Sequence, residues 1–267
     1  MHDSLHWLGA LALAMMRPYG MLLILPLFTA RSLGSGLLRN SLVFAIALPV
    51  TPLFFSASLM PQDSLTTWFW LLCMELLIGV MIGFVAALPF WAIDMAGFLI
   101  DTLRGATMST LFNPSMGMES SIFGVLFTQL LTVLFLISGG FNLVLAALYG
   151  SYSILPAGSG IQPSPAMLHF LQSEWQLMYE LCLNFALPAL LVMVLADLAL
   201  GLINRSSQQL NVFFLAMPIK SALALFLLVI SLPYALHHYL VGINQTEQKI
   251  SALIPLINEV ADERREQ

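Results

Sequence analysis

Asp94, Gly97, Asp101 and Arg104 recur at intervals of three and four and therefore fall in one narrow sector of a helix. Asp101 reaches Arg104 at i, i+3, so the first chemistry this pattern offers is an ion pair. A charge left alone in hydrocarbon costs about 2.5 to 3.5 kcal/mol, so the sector demands an intramembrane pair or a wet cavity. Directly beyond it, Gly105, Asn113-Pro114, Gly117 and Glu119 interrupt apolar sequence with turn chemistry. Such a segment must be buried in protein or line an aqueous path. Its middle is apolar and Met-rich, with Met108, Leu111, Phe112, Met116 and Met118, side chains that fill a constriction adaptably. The sequence therefore suggests a passage through a membrane.

Other charges sit inside apolar runs. Glu75, Gly79 and Gly83 follow one another every four residues and share a helix face. Small residues at that spacing let two helices approach closely, and the acid seeks a donor on its neighbour. Asp197, Gly201 and Arg205 form a similar stripe, followed by a polar run that reaches Asn211. Such faces should contact protein, through ordinary helix packing or, if the chain is one subunit of an assembly, against other subunits. Arg17 precedes Pro18 and Lys220 follows Pro218, placing two more charges beside helix breaks.

Constellations for bond making are missing. His237 and His238 are neighbours, which point to different sides of a helix and cannot act as the i, i+4 pair of a zinc site. His2, His6 and His169 are scattered, and neither a Gly-rich phosphate loop nor a nucleophile elbow occurs. The acids lack the second acid or His that a proton relay uses. The sequence therefore implies no enzyme, no cofactor and no metal.

The elements that must position these residues are membrane helices. Of 267 residues 59% are hydrophobic and 9% are charged, and the mean hydropathy is +0.90. Soluble domains carry about 25% charged residues, so a polytopic membrane protein is indicated. A net charge of -5 offers no basic patch for nucleic acid. Cys73 and Cys182 lie in apolar runs as small hydrophobes and make no disulfide framework. His2 and Asp3 stand where a signal peptide has positive charge, and the first apolar run continues past Arg17, so it reads as a retained helix.

A crossing helix needs about 20 apolar residues. By that measure the blocks are 5–28, 40–60, 66–103, 121–149, 175–203 and 212–241. The expected fold is all-α, an integral membrane protein of about six long hydrophobic helices or helical hairpins, some kinked at Pro. The third block is too long for one straight span, and Pro89 near its middle predicts a kink or a hairpin. The chain divides into a hydrophobic helical domain, 1–241, and a polar C-terminal tail, 242–267. Within the tail Ile250, Leu253, Ile254, Ile257 and Ala261 keep helical spacing, with Pro255 as a break. It reads as a solvated tail with one short amphipathic turn.

In order and spacing these residues resemble one family, the FliR/SpaR/YscT-type export-apparatus proteins of flagella and type III secretion injectisomes. The resemblance runs over about 10–235. Arg17, Pro26 and Arg39 match an Arg, a Pro ending the first helix and an Arg opening the second. Glu75-Leu76-Leu77-Ile78-Gly79 with Gly83 resembles the family's Glu-hydrophobic-Gly-xxx-Gly helix, and Gly97 with Asp101 matches the continuation of that helix. Asp101 to Thr107, with Asn113-Pro114 and Gly117 downstream, is similar to the loop preceding the fourth hydrophobic block; its Arg104-Gly105 resembles the injectisome branch. Gly201-Leu202-Ile203-Asn204-Arg205, then Gln209-Leu210-Asn211, Phe213, Pro218 and Lys220, resembles the second polar break. There Gln208 stands where many members have Pro.

What the resemblance implies is a structural subunit of the inner-membrane export gate. One copy would join several copies of FliP-like and FliQ-like partners, with the FlhB-like switch protein nearby, in a helical assembly partly lifted out of the bilayer. The loop containing Arg104, Gly105, Asn113, Pro114 and Gly117 would plug the channel until unfolded polypeptides pass. The rival reading is a small secondary transporter, which requires midplane polar sites in two related halves. No such halving is visible.

Overall fold

The computed structural model describes residues 2–28, 36–56, 65–106, 121–156, 164–206, 215–230 and 246–257. Among the described residues every regular element is helical. In chain order these are α1 (His2–Ile24), a 3-10 turn (Pro26–Phe28), α2 (Gly36–Ala47), α3 (Thr51–Ser56), α4 (Leu65–Arg104), α5 (Ile122–Ile137), α6 (Gly140–Ile154), α7 (Pro165–Ser206), α8 (Leu215–Ile230) and α9 (Thr246–Leu256).

Length and composition decide which helices suit a bilayer. His6–Ile24, Thr66–Arg104 and Pro165–Ser206 are each long and apolar enough to cross one, and Ile122–Ile137 with Gly140–Ile154 make a fourth if counted as one broken span. The remaining sequence blocks appear as shorter apolar helices, α2 and α8. Block 40–60 is interrupted after Ala47, where Pro49 and Pro52 withhold backbone donors. Block 121–149 is interrupted at Gly139, whose φ of 80° lies in the left-handed region.

The hairpin expected at Pro89 does not form. α4 runs unbroken for 40 residues with Pro89 inside it. At the helical rise it is about 60 Å long, twice the roughly 30 Å hydrocarbon layer. A missing donor removes one bond from a helix, and apolar residues on either side of Pro89 hold the rest.

The chain forms two compact units. The first comprises residues 1–88, 139–174 and 243–267. Its core is built where α1 meets α2, α3 and the first half of α4, with Ala14, Met21, Leu22, Val43, Ala47, Ile78, Ile82 and Leu148 withdrawn from solvent. Tyr149 Oη donates to the Ile46 carbonyl at 3.1 Å, and Phe54 meets Tyr152 edge-on at 5.8 Å. Residues 246–257 of the tail join this unit, contrary to the expectation of a solvated one. α9 lies on α6 and buries Ile250, Leu253, Ile254 and Ile257. Its seat is fixed by Lys249 Nζ on Glu174 Oε2 at 2.9 Å and by Ser164 Oγ donating to the Leu256 carbonyl at 2.9 Å. Pro255 sits inside α9, near its end, and does not break it.

The second unit comprises residues 89–138 and 175–242. Its core is aromatic. Phe90 meets Phe135 edge-on at 5.3 Å, Phe127 meets Phe185 edge-on at 5.0 Å, and Phe123 stacks on Phe127 at 5.6 Å. Edge and offset contacts of this kind suit the ring quadrupole and fix the helices laterally.

Candidate functional site: a clasped loop base and a buried ion pair

α4 ends where the sequence supplies a residue for ending it. Gly105 adopts a φ of 84°, its N–H donates to the Thr102 carbonyl at 3.1 Å, and the Ala106 N–H donates to the Asp101 carbonyl at 3.0 Å. This is the paired bonding of a glycine-terminated helix, which satisfies two carbonyls of the last turn. A residue with a Cβ would be strained at that φ.

The Asp101 side chain then joins this end to the start of α5. It is 2% exposed. Its Oδ1 accepts from Arg104 Nε at 2.7 Å, the i, i+3 pair expected from spacing. Its Oδ2 accepts from Ser121 Oγ at 2.7 Å and from the Phe123 N–H at 3.0 Å. Ser121 is the N-cap of α5, its oxygen accepting from the Gly124 N–H at 2.8 Å, which meets one of the orphan donors of that helix start. Arg104 completes the group by lying over the Phe123 ring at 4.4 Å. One carboxylate thus holds both ends of the chain that leaves at Ala106 and returns at Ser121.

Close packing carries this clasp. A Cβ at Gly97 would lie 2.5 Å from the Gly124 Cα, and one at Gly124 would lie 2.5 Å from Asp94 Oδ1. Asp94, Gly97, Asp101 and Arg104 therefore do share a face, and it is the face on which α5 begins. Of the expected loop residues, Met108, Leu111, Phe112, Asn113, Pro114, Met116, Gly117 and Met118 lie outside the described residues, as does Asn211.

Arg17 and Glu75 meet, 58 positions apart, in the first unit; both side chains are 0% exposed. Arg17 Nε and Glu75 Oε2 form the pair, and Nη2 reaches Glu75 Oε1 at 3.3 Å. The other donors go to Ser151 Oγ at 3.1 Å and the Leu155 carbonyl at 2.9 Å, while the guanidinium lies 4.2 Å from the Tyr152 ring centre. Burying two charges is tolerated because these further bonds satisfy the planar fork. The stripe Glu75, Gly79, Gly83 was expected to meet another subunit, and its partner is α1 of the same chain. A Cβ at Gly79 would collide with the Arg17 backbone, and one at Gly83 would lie 2.6 Å from the Met21 carbonyl oxygen. The glycines permit the close approach, and the acid finds its donor on the helix so admitted.

The second stripe behaves differently. Asp197 pairs with Lys220 at 2.5 Å, but a Cβ at Gly201 would meet nothing within 4 Å among the described residues, and Arg205 is exposed. Sequence reasoning did not single out Ser121, Phe123, Ser151, Tyr152 or Glu174. Ser121 was findable as a cap residue at the head of an apolar run; the others carry no local signal. Among the described residues no group of three or more His, Cys, Asp or Glu could hold a metal ion.

Comparison with known proteins agrees with this architecture. The family described as "Bacterial export proteins, family 1" matches residues 8–246. The chain is 52% identical to the secretion system apparatus protein SsaT of Salmonella typhimurium over 236 residues, covering 88% of this chain and 91% of SsaT. It is 38% identical to the Yop proteins translocation protein T of Yersinia pestis, over 88% of this chain and 90% of that protein. It is 29% identical to the surface presentation of antigens protein SpaR of Salmonella typhimurium, over 84% and 83%.

Proposed function

The chain belongs to family 1 of the bacterial export proteins, and on that premise we propose that it is a structural subunit of a type III secretion export gate in the bacterial inner membrane. Its partners are FliP-like and FliQ-like membrane proteins, with the FlhB-like switch protein beside them. Unfolded polypeptides pass outward through the assembly. The loop 105–119 closes the path at rest.

The observation that carries this reading is the Asp101 clasp. A closure must hold ions back yet yield to a moving chain, which calls for a fixed base and an adaptable body. The base is the group of Asp101, Arg104, Ser121 and Phe123, held within hydrogen-bond distance. The body has the composition of an adaptable constriction, with Met108, Leu111, Phe112 and Met116 between glycines at 105 and 117 and Met118 directly after them. Apolar constrictions block ions by dewetting and bind a passing chain weakly. The energy for transport comes from elsewhere in the apparatus.

Partner contact suits the surfaces left bare. Leu191, Leu195, Leu198 and Leu202 are all exposed on α7, and Ile122, Leu126, Val133 and Ile137 on α5. At Gly201 a neighbouring helix has room to approach closely. The test is purification in mild detergent after co-expression with the FliP-like and FliQ-like proteins of the same system. A stable complex is expected, and recovery of this chain only as a free monomer would overturn the assignment.

A further inference from the structure

The glycine-terminated end of α4 leaves the Leu103 carbonyl to be met from outside the helix. Gly105 and Ala106 cover the Thr102 and Asp101 carbonyls, and Lys220 Nζ on α8 donates to the Leu103 carbonyl at 3.2 Å. The same ammonium pairs with Asp197 of α7 at 2.5 Å, its side chain 14% exposed against 48% for Asp197. Lys220 therefore joins α7, α8 and the exit of α4 through one charged group. Its position is favourable twice over, because a cation at a helix C-terminus complements the partial negative charge of the unpaired carbonyls. Met217, one turn before Lys220, is the side chain nearest Gly105, 3.7 Å from where a Cβ would stand. The first residues of α8 thus cover the point at which the chain leaves α4.

We infer that Lys220, held by Asp197, is a positioning residue that fixes the α4 end of the clasped loop base, so that a shift of α8 against α7 loosens that base. The inference rests on the proposed closure of the path by the loop 105–119. It adds the elements that control it, α7 and α8, which meet the end of α4 at Lys220.

The experiment compares Lys220→Met, Lys220→Arg and Asp197→Asn in the assembled complex, at matched complex recovery, by two readouts. The first is amide hydrogen exchange at Gly105 and Ala106, whose N–H groups report the last turn of α4. Lys220→Met should speed this exchange about tenfold, the factor expected for one charge-assisted hydrogen bond, while Lys220→Arg retains slow exchange. Asp197→Asn should act in the same direction, and more weakly. Unchanged exchange in Lys220→Met overturns the positioning role whatever the conductance. The second readout is resting ion conductance, which Lys220→Met should raise and Lys220→Arg should not. If removing residues 108–118 raises conductance while Lys220→Met speeds exchange and leaves conductance at the wild-type level, the link from Lys220 to closure is overturned and the closure reading stands. If removal of 108–118 also leaves conductance unchanged, the closure reading is what fails.

Discussion

Ser121 donates to the Asp101 carboxylate at 2.7 Å across 20 positions of chain. The same carboxylate holds Arg104 at 2.7 Å. An apolar, Met-rich segment between two helices therefore begins and ends at one acid. Asp101→Ala should cost about 3 kcal/mol of stability, since charged hydrogen bonds contribute roughly 1.5 to 3 kcal/mol each and the loss leaves Arg104 without its carboxylate. Ser121→Ala should cost about 1 kcal/mol through the lost cap. In a double-mutant cycle read by thermal unfolding in detergent, Asp101→Ala and Ser121→Ala should be non-additive by at least about 0.5 kcal/mol. Additive costs would mean that the two residues act separately.

The Arg17 and Glu75 pair makes a second prediction. Both side chains are fully buried, so removing one partner strands the other charge. Glu75→Gln or Arg17→Met alone should destabilise the chain by about 3 to 5 kcal/mol. Replacing both with apolar residues of similar volume should recover most of that loss, because the pair's attraction is spent largely on its own desolvation. The check is unfolding of the singles and the double side by side. A double variant as unstable as the worse single would show that the bonds to Ser151 and Leu155 matter more than charge balance.

The two glycine stripes should separate folding from assembly. Gly79→Ala places a Cβ against the Arg17 backbone, which cannot yield as a side chain would, so the chain itself should lose stability. A Cβ at Gly201 meets nothing within 4 Å among the described residues, so Gly201→Leu should not lower the unfolding midpoint of the chain while lowering recovery of the complex with partners. Normal recovery with Gly201→Leu would remove the α7 face from the interface.

How far these features were legible in the sequence depends on the information periodicity encodes. Spacing at three and four places residues on a common helix face, so Asp101 with Arg104 and Glu75 with Gly79 and Gly83 could be read directly. It does not say which helix covers the face. The acid and glycines at 75, 79 and 83 resembled an intersubunit stripe, and α1 took the place from 58 positions away. Pro89 carries the same local signal whether a helix ends or continues, and α4 continues. The tail illustrates the opposite error. Ile250, Leu253, Ile254 and Ile257 keep helical spacing in polar sequence, but their burial depends on α6 and on Glu174, which a tail read alone does not contain. Membrane class and all-helical fold came through plainly because composition and apolar run length act over the whole chain, without reference to partners.

The most direct measurement is resting ion conductance across membranes holding the assembled complex, with and without residues 108–118, the Asp101 and Ser121 anchors left intact. Removal is expected to raise conductance well above the wild-type level while the complex is recovered in normal amount. Conductance at the wild-type level, with assembly intact, would contradict the assignment of this segment as the closure of the export path.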